Sequence, residues 1–433
     1  MRNRDDVRRP PSRRRPDKRL VSVMMLFFFS AFLLIALRDE LRWQGFALAV
    51  AVPALIYIAT MWLPHFFPAD KLLLAIANFL CALGVLVLYT TDLDGGTSRG
   101  LQQAMYYTTG IVAMLFCILL VRYVRNWRVL IVIIALGAAG LIALPLAIGT
   151  EQNGATNWIR IAGTSLQPSE LVKVALLLVL GYSMSRRRLL PWLLFTGFCL
   201  GVLMLQKDLG TALIYYATAL FLFYASTGNL PLTGLGIVGA GGAAVLGYKM
   251  FKHVKVRVAV WLNPWLTADT TGYQIVQILM AIASGGLFGV GLGLGSPRVI
   301  PVYFTDCIFA VICEQFGILF GILVLVMYVI LILRGASIAT SARHSFYSLI
   351  AMGATVMLGT QTFVIIAGVL KLIPLTGVTM PFVSYGGTSL VSCMALIGLL
   401  QGVASVNQDD LEYDYEISHS LHEELTLPHA DRA

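Results

Sequence analysis

The chain has 433 residues, of which 58% are hydrophobic and only 12% are charged, and its mean hydropathy is +0.81. Soluble domains carry about 25% charged residues, so this composition excludes an ordinary soluble protein and favours a membrane protein. The net charge of +9 is unevenly distributed, because residues 1–19 are rich in arginine whereas residues 406–433 are acidic. We expect the basic tail to mark the cytoplasmic side and to contact anionic lipid, not nucleic acid.

Apolar runs long enough to span a membrane follow the basic tail. About 20 mostly apolar residues are needed for one spanning helix, and about twelve such runs are present. They lie near 20–37, 45–63, 71–91, 104–124, 129–149, 169–185, 190–205, 209–226, 231–251, 307–334, 345–372 and 388–405. The predicted fold class is therefore all-α, a polytopic membrane helix bundle of about 12 transmembrane helices.

The loops between these runs differ on the two sides of the membrane. Arginines concentrate in 122–128, 185–188 and 334–343, so these loops and both termini are predicted to be cytoplasmic. A large outer segment, 252–306, separates the ninth and tenth runs and holds a short glycine-rich apolar stretch. Such a stretch is typical of a re-entrant or interfacial helix, and irregular backbone at membrane depth must be buried or line a wet cavity. The polar residues of the outer loops thus predict a site that opens outward.

Two outer loops carry acidic residues at helix starts. Glu170 and Lys173 are three residues apart after Pro168, so they share a helix face and can pair with each other. Asp208 directly precedes an apolar run, where it can cap the helix by accepting backbone N–H bonds. Each feature is compatible with a capped helix and a local ion pair as well as with a functional site.

Asp306 and Glu314 lie where the large outer segment enters the tenth apolar run. An ionisable side chain at the edge of or inside a membrane-spanning helix is energetically costly, so its presence indicates a functional role. Asp306 could instead cap the helix together with Thr305. A buried carboxylate can act as a general base or hold a divalent metal. No nucleotide-binding signature accompanies them. The six cysteines include no CxxC pair, so neither a zinc site nor a disulfide framework is indicated.

Five groups of motifs occur in order between residues 71 and 405. They are NGATNWIRI with LQPSELVK (153–161, 166–173), QKDLGTALIY (206–215), WLNP with GYQIVQ and AIASGGLFGVGLG (261–293), TDCIFAVICEQFG (305–317) and PLTGVTMPFVSYGGTSL (374–390). Together they resemble the SEDS family, the shape, elongation, division and sporulation proteins such as RodA, FtsW and SpoVE.

The resemblance implies a peptidoglycan glycosyltransferase. Such an enzyme polymerises lipid II on the outer face of the cytoplasmic membrane, usually with a class B penicillin-binding protein, a transpeptidase, as partner. Asp306 matches the family's essential aspartate and is the candidate catalytic base of an inverting displacement, which needs one base and not two paired carboxylates. A divalent cation, Mg²⁺ or Mn²⁺, could share the stabilisation of the leaving pyrophosphate, and no nucleotide cofactor is expected. The candidate substrate-binding residues are Trp158, Arg160, Glu170, Lys173, Lys207, Asp208, Arg257, Arg298, Glu314 and Ser384.

The chain departs from the family pattern in two ways. Its predicted domains are a basic cytoplasmic tail (1–19), two additional transmembrane helices (20–63), a SEDS-like core of about 10 helices (71–405) and an acidic cytoplasmic tail (406–433). Lys207 replaces the usual proline, Cys307 the usual phenylalanine, and Cys313 and Gln315 alter the segment around Glu314. Two other functions stay open at this point: a flippase for lipid-linked sugars, and a non-catalytic scaffold of a cell-wall synthesis complex. The residues do not distinguish a role in elongation, division or sporulation.

Overall fold

The computed structural model of the protein describes residues 18–38, 43–92, 98–152, 155–161 and 164–426. Nine helices come first: α1 Lys18–Arg38, α2 Trp43–Tyr57, α3 Lys71–Asp92, α4 Arg99–Tyr123, α5 Trp127–Ile148, α6 Pro168–Ser185, α7 Leu189–Leu205, α8 Leu209–Thr227 and α9 Leu230–Met250. A π-helical turn (Ile58–Trp62) and a 3-10 turn (Leu63–His65) prolong α2. Six further helices follow: α10 Lys252–Leu262, α11 Tyr273–Gly285, α12 Ile308–Phe316, α13 Ile318–Ser341, α14 Ser345–Val369 and α15 Gly387–Thr426.

The long apolar runs become helices because a helix satisfies all of its backbone hydrogen bonds within one segment, as a membrane interior demands. Among the described residues, 11 helical segments are long and apolar enough to cross a membrane, while α7, with 17 residues, falls just short of that length. The predicted all-α polytopic bundle is confirmed. Residues 1–17, most of the predicted basic tail, lie outside the described residues.

The bundle is built around α3 and α15, the two most buried spans. Helix α15 packs against α4, α6, α13 and α14, whereas α1 and α2 pack on each other and on α3. Helix α9 lies at the opposite extreme, with almost all of its side chains exposed, as expected for a lipid-facing helix at the edge of the bundle.

The tenth apolar run is not one helix, as the sequence suggests, but two. Helix α12 ends and α13 begins at Gly317, whose φ is +86°. A β-carbon at Gly317 would lie 2.3 Å from the carbonyl oxygen of Leu287, so only glycine fits. The glycine-rich stretch after α11, residues 286–296, packs against this break. Ile318 N–H donates to the Gly286 carbonyl at 2.9 Å. A tertiary contact therefore interrupts a segment that is continuously apolar in sequence.

A small antiparallel sheet replaces the loop expected between α5 and α6. Its strands β1 (Thr150–Gln152), β2 (Ala155–Ile161) and β3 (Thr164–Leu166) follow one another in the order β1-β2-β3. In the sequence, the dipeptide Asn153–Gly154 is a typical signal for a hairpin. The sheet is held near α8, because Thr156 N–H donates to the Gln206 carbonyl at 3.1 Å.

Candidate active site

One end of the bundle collects most of the polar outer loops, and we refer to it as the site end. The sheet, the start of α6, the turn before α8, helices α10 to α12 and the loop 370–386 all meet here. The start of α6 contacts the start of α15, since Gln167 N–H donates to Thr388 Oγ1 at 3.4 Å. These loops thus lie together at one end of the molecule, as the sequence predicts.

Asp306 lies in the turn that precedes α12 and does not cap that helix. The N-cap position belongs to Cys307, and no side chain there caps the helix. Asp306 is partly exposed and lines a cavity of about 100 Å³ together with Arg257, Gln274, Thr271 and Gly377. The capping interpretation of Asp306 therefore does not hold, and its carboxylate is left facing a cavity.

The electrostatics of this cavity suit a carboxylate base. Burial raises the pKa of Asp306, and a hydrogen bond from Thr305 (Oγ1 to Asp306 Oδ1, 2.7 Å), the positive charge of Arg257 and a hydrogen bond from Gln274 partly offset that rise. A carboxylate with a raised pKa is a stronger base, and it still ionises at higher pH. The Asp306 cavity thus combines a base with a nearby cation.

Arg257 is held in place by the loop that follows α14. Its Nη1 donates to the Thr376 carbonyl oxygen at 2.8 Å. A β-carbon added at the neighbouring Gly377 would lie 3.7 Å from Nη2. One side of the guanidinium is fixed in this way, and its other donors stay available for an anion. Arg257, one of four basic residues within 252–257 of the outer segment, thus contributes a cation to the cavity.

Gln274 is a site residue that the sequence analysis missed. Its Nε2 donates to the Pro301 carbonyl at 3.1 Å and contacts Cys307 Sγ at 3.3 Å, and the side chain also hydrogen-bonds Asp306. Gln274 therefore fixes both ends of the turn that carries Asp306. A polar side chain within the short apolar helix α11 was the signal that could have identified it.

Ser384 positions the Asp306 turn from the opposite side. Its hydroxyl donates to the Thr305 carbonyl oxygen and accepts from Met380 N–H at 2.7 Å. The next residue, Tyr385, donates its N–H to the Phe304 carbonyl at 2.8 Å. The loop 370–386 is thereby fastened to residues 304–305, and the contacts of Ser384 indicate positioning of Asp306.

Glu170 and Lys173 form the predicted pair, but deep inside the bundle. Lys173 Nζ donates to both carboxylate oxygens of Glu170 (2.9 and 2.8 Å) and to Gln361 Oε1 at 2.8 Å. Ser392 Oγ donates to Glu170 Oε2 at 3.0 Å. An ammonium group has three donors, and all are occupied, so this pair joins α6, α14 and α15 without a free donor for a phosphate. Their substrate-binding role stays a prediction.

Asp208 is the N-cap of α8, as one of its two interpretations predicted. Its Oδ1 accepts from Thr211 N–H at 3.1 Å, and its Oδ2 accepts from Asn157 Nδ2 at 2.7 Å and Gln167 Nε2 at 3.0 Å. These bonds connect the sheet, the start of α6 and α8. Lys207, just before it, is exposed and has a φ of +61°.

Glu314 does not share the Asp306 cavity. Their spacing of eight residues would place the two acids on roughly one face of a single helix, but Asp306 precedes α12, so no common face forms. Glu314 is 6% exposed and faces the glycine-rich stretch, where its Oε1 accepts from Ser296 N–H at 2.9 Å. A β-carbon at Gly295 would lie 2.6 Å from Glu314 Oε2. Glu314 therefore holds the glycine-rich stretch against α12.

The remaining predicted residues lie outside the cavity that Asp306 lines. Trp158 and Arg160 are on β2, the first partly buried and the second exposed. Arg298 is exposed and donates from Nη2 to the Thr91 carbonyl at 3.1 Å. The structure thus brings together Asp306 and Arg257 and distributes the others around the site end.

The described residues do not offer a protein cage for a divalent cation. No three His, Cys, Asp or Glu side chains in this part of the chain cluster in a way that could hold a metal ion. Asp306 would supply one carboxylate, and the adjacent Arg257 disfavours a second cation there. A requirement for a divalent cation stays a prediction.

Comparison with known proteins identifies the family of the chain. The model of the family described as "Cell cycle protein", that of FtsW, RodA and SpoVE, matches residues 70–409. The chain belongs to this SEDS family. It is a multi-pass membrane protein, since its apolar helices and its relatives agree on this point.

Curated relatives and solved structures extend the match over most of the chain. Peptidoglycan glycosyltransferase RodA of Mycobacterium tuberculosis is 33% identical over 430 residues, covering 91% of each chain. Stage V sporulation protein E of Bacillus subtilis is 32% identical, covering 77% of this chain and 96% of that protein. The crystal structure of RodA from Thermus thermophilus matches with a TM-score of 0.58 and 26% identity, covering 79% of this chain and 98% of that one.

A second structural match is to a peptidoglycan synthase complex studied for its coordination of polymerization and crosslinking. It has a TM-score of 0.64 and 26% identity, again over 79% of this chain and 98% of that chain. The family model omits α1 and α2. The match to the mycobacterial protein is longer than residues 70–433 alone could supply, so it includes part of residues 1–69.

Proposed function

We propose that this protein is a peptidoglycan glycosyltransferase that polymerises lipid II. The observation that carries the proposal is the Asp306 carboxylate, which lines a cavity beside Arg257 and caps no helix. Membership of the SEDS family supports the same activity, since several relatives are named for it. We find no observation that favours a flippase or a scaffold over this activity.

Asp306 acts as the general base of a single displacement. The donor sugar is α-linked to a lipid pyrophosphate and the product bond is β, so the configuration inverts. The acceptor hydroxyl gives its proton to the Asp306 carboxylate while its oxygen forms a bond to the anomeric carbon of the donor. The bond between that carbon and the pyrophosphate oxygen breaks, and the electron pair leaves with the lipid pyrophosphate.

Arg257 stabilises the negative charge that grows on the leaving pyrophosphate. A guanidinium is suited to phosphate oxygens because it offers planar paired donors, and a fixed cation at the point of charge development lowers the barrier. The bond to the Thr376 carbonyl pre-positions Arg257. The role of three other candidates is indirect: Glu170, Lys173 and Asp208 hold the helices and the sheet that surround the site.

We place the site end on the outer face of the cytoplasmic membrane, with both termini in the cytoplasm. The loops 124–126, 186–188 and 342–344 are at the other end of the bundle and carry arginines, as cytoplasmic loops do. A class B penicillin-binding protein is the partner we propose, because polymerised strands need a transpeptidase to be crosslinked.

The decisive experiment is polymerisation of labelled lipid II by the purified full chain in nanodiscs. Asp306→Asn removes the base and keeps the size of the side chain, and we expect a rate loss of about 10²- to 10⁴-fold. Asp269→Asn is a matched control, since Asp269 is an exposed aspartate of the same outer segment. It should polymerise like the wild type.

Two results would contradict the proposal. Equal polymerisation by Asp306→Asn and Asp269→Asn would exclude Asp306 as the base. Absence of glycan strands from the wild type, even with candidate class B partners and added Mg²⁺ or Mn²⁺, would exclude the polymerase activity itself. Lipid translocation by such an inactive protein would then identify a flippase.

A further inference from the structure

A second and larger cavity lies at the end of the bundle opposite Asp306. It measures about 410 Å³ and is formed where the α4–α5 link, the α6–α7 turn and the start of α14 meet. We call it the arginine cavity, because four arginines line it: Arg125, Arg128, Arg186 and Arg188. Helix α14 runs from this cavity towards the loop beside Asp306, a length of about 37 Å, so the two cavities are separate.

The charge of the arginine cavity is uncompensated. None of the described aspartates and glutamates lines it. Within the part of the chain that the structure describes, none of the four arginines has an ion-pair partner. Basic residues in cytoplasmic loops help to orient the chain in the membrane, but that role does not require four arginines around one concave surface. Such a concentration of positive charge attracts an anion.

Three helices also begin at this cavity without a side-chain cap. They are α5, α7 and α14, whose N-cap residues are Asn126, Arg188 and His344. The first N–H groups of a helix lack partners within the helix and carry a partial positive charge, which favours a bound anion. The partial positive charge of these three helix starts therefore adds to the positive charge of the arginines at the same cavity.

Trp127 provides an independent sign of a missing partner. It lines the cavity, is 7% exposed, and its indole Nε1–H has no hydrogen-bond acceptor among the described residues. A buried N–H without an acceptor is costly, and an acceptor oxygen from a ligand would satisfy it. Its ring packs edge-on against Phe346, with 5.0 Å between ring centroids, so the indole is fixed in this place.

We propose that the arginine cavity binds the phosphate-bearing headgroup of an anionic membrane lipid. Guanidinium groups, helix starts and an indole N–H all donate to phosphate oxygens. A lipid is the source of the phosphate because the first two turns of α5 and α7, which begin at the cavity, expose apolar side chains along which acyl chains can lie: Val129, Val132, Leu189, Leu190 and Leu193. Neither the catalytic proposal nor the family match assigns a ligand to this end.

Native mass spectrometry of the full chain in detergent tests this proposal, with phosphatidylglycerol and phosphatidylcholine as the added probes. We expect one phosphatidylglycerol to bind more tightly than any phosphatidylcholine. The double variant Arg128→Gln/Arg188→Gln should weaken that binding by roughly tenfold or more, since each lost charge-assisted hydrogen bond to the phosphate weakens binding about tenfold. Trp127→Phe should weaken it less, because only one hydrogen bond is lost.

Arg187→Gln is the matched control, because Arg187 belongs to the same exposed turn but does not line the cavity. It should bind phosphatidylglycerol like the wild type. Equal weakening by Arg187→Gln, or no weakening by the double variant, would overturn the proposal. Displacement of phosphatidylglycerol by excess inorganic phosphate would overturn the lipid as the source. Thermal unfolding of each variant checks that the fold is retained.

Discussion

Asp306 and the Glu170–Lys173 pair lie at the same end of the bundle, yet their surroundings differ. Glu170 and Lys173 are buried, and their charged atoms bind each other, Gln361 and Ser392. Asp306 is partly exposed to a cavity, caps no helix, and has a cation nearby but not in contact. A charged group whose partners are complete stabilises a fold, whereas one that faces open space is free to meet a substrate.

The largest effect on stability should come from Lys173→Met. This change leaves the Glu170 carboxylate buried without its cation, and breaking a buried pair on one side costs about 3–5 kcal/mol. Thermal unfolding in detergent measures the loss. Arg160→Met, which changes an exposed cation, is the control and should unfold near the wild-type temperature. A similar small shift for both variants would show that the pair does not hold the bundle.

A smaller loss is expected for Asp208→Ala. The α8 N-cap disappears at a cost of about 1 kcal/mol, and the amides of Asn157 and Gln167 lose their acceptor. The unfolding temperature should fall, and polymerisation should fall with it because the sheet is no longer tied to α8. An Asp208→Ala variant with wild-type stability but no activity would instead place Asp208 in the chemistry.

Arg257→Gln should shift the pH dependence of polymerisation. Burial raises the pKa of Asp306 and the charge of Arg257 opposes that rise, so removing the charge raises the pKa further. The base works only when it is ionised. As the pH is lowered, the Arg257→Gln variant should therefore lose its activity at a higher pH than the wild type does. Lys255→Gln, an exposed cation of the same helix, is the control. If the acidic limb of the pH–activity profile did not shift in Arg257→Gln, the charge of Arg257 would have no influence on the ionisation of Asp306.

Asp306→Asn should have the smallest effect on stability, in contrast to its effect on activity. Because the folded protein raises the pKa of Asp306, the stabilising contribution belongs to the protonated form and is lost as pH rises through the folded-state pKa. At neutral pH the neutral asparagine should therefore be no less stable than the wild type. Unfolding at two pH values measures this, and a large loss at neutral pH would make Asp306 a structural residue.

The sequence predicted the helices well and the contacts between them poorly. Apolar length alone identifies a spanning helix, so the twelve runs and the pairing of Glu170 with Lys173 could be predicted locally. The break at Gly317 could not, because it is made by a distant glycine-rich stretch. Gln274 and Arg257 became neighbours of Asp306 only through the folding of the outer segment, and the motif alone does not specify that geometry.

Helix α15 has a length that exceeds its membrane-spanning role. Its 40 residues measure about 60 Å, roughly twice the hydrocarbon thickness of a bilayer. Its polar part carries Asp409 and Asp414, which pair with Arg122 and Arg343 of the bundle. These two ion pairs tie the polar part of α15 to the bundle, so a fluorophore attached to that part would move together with the bundle.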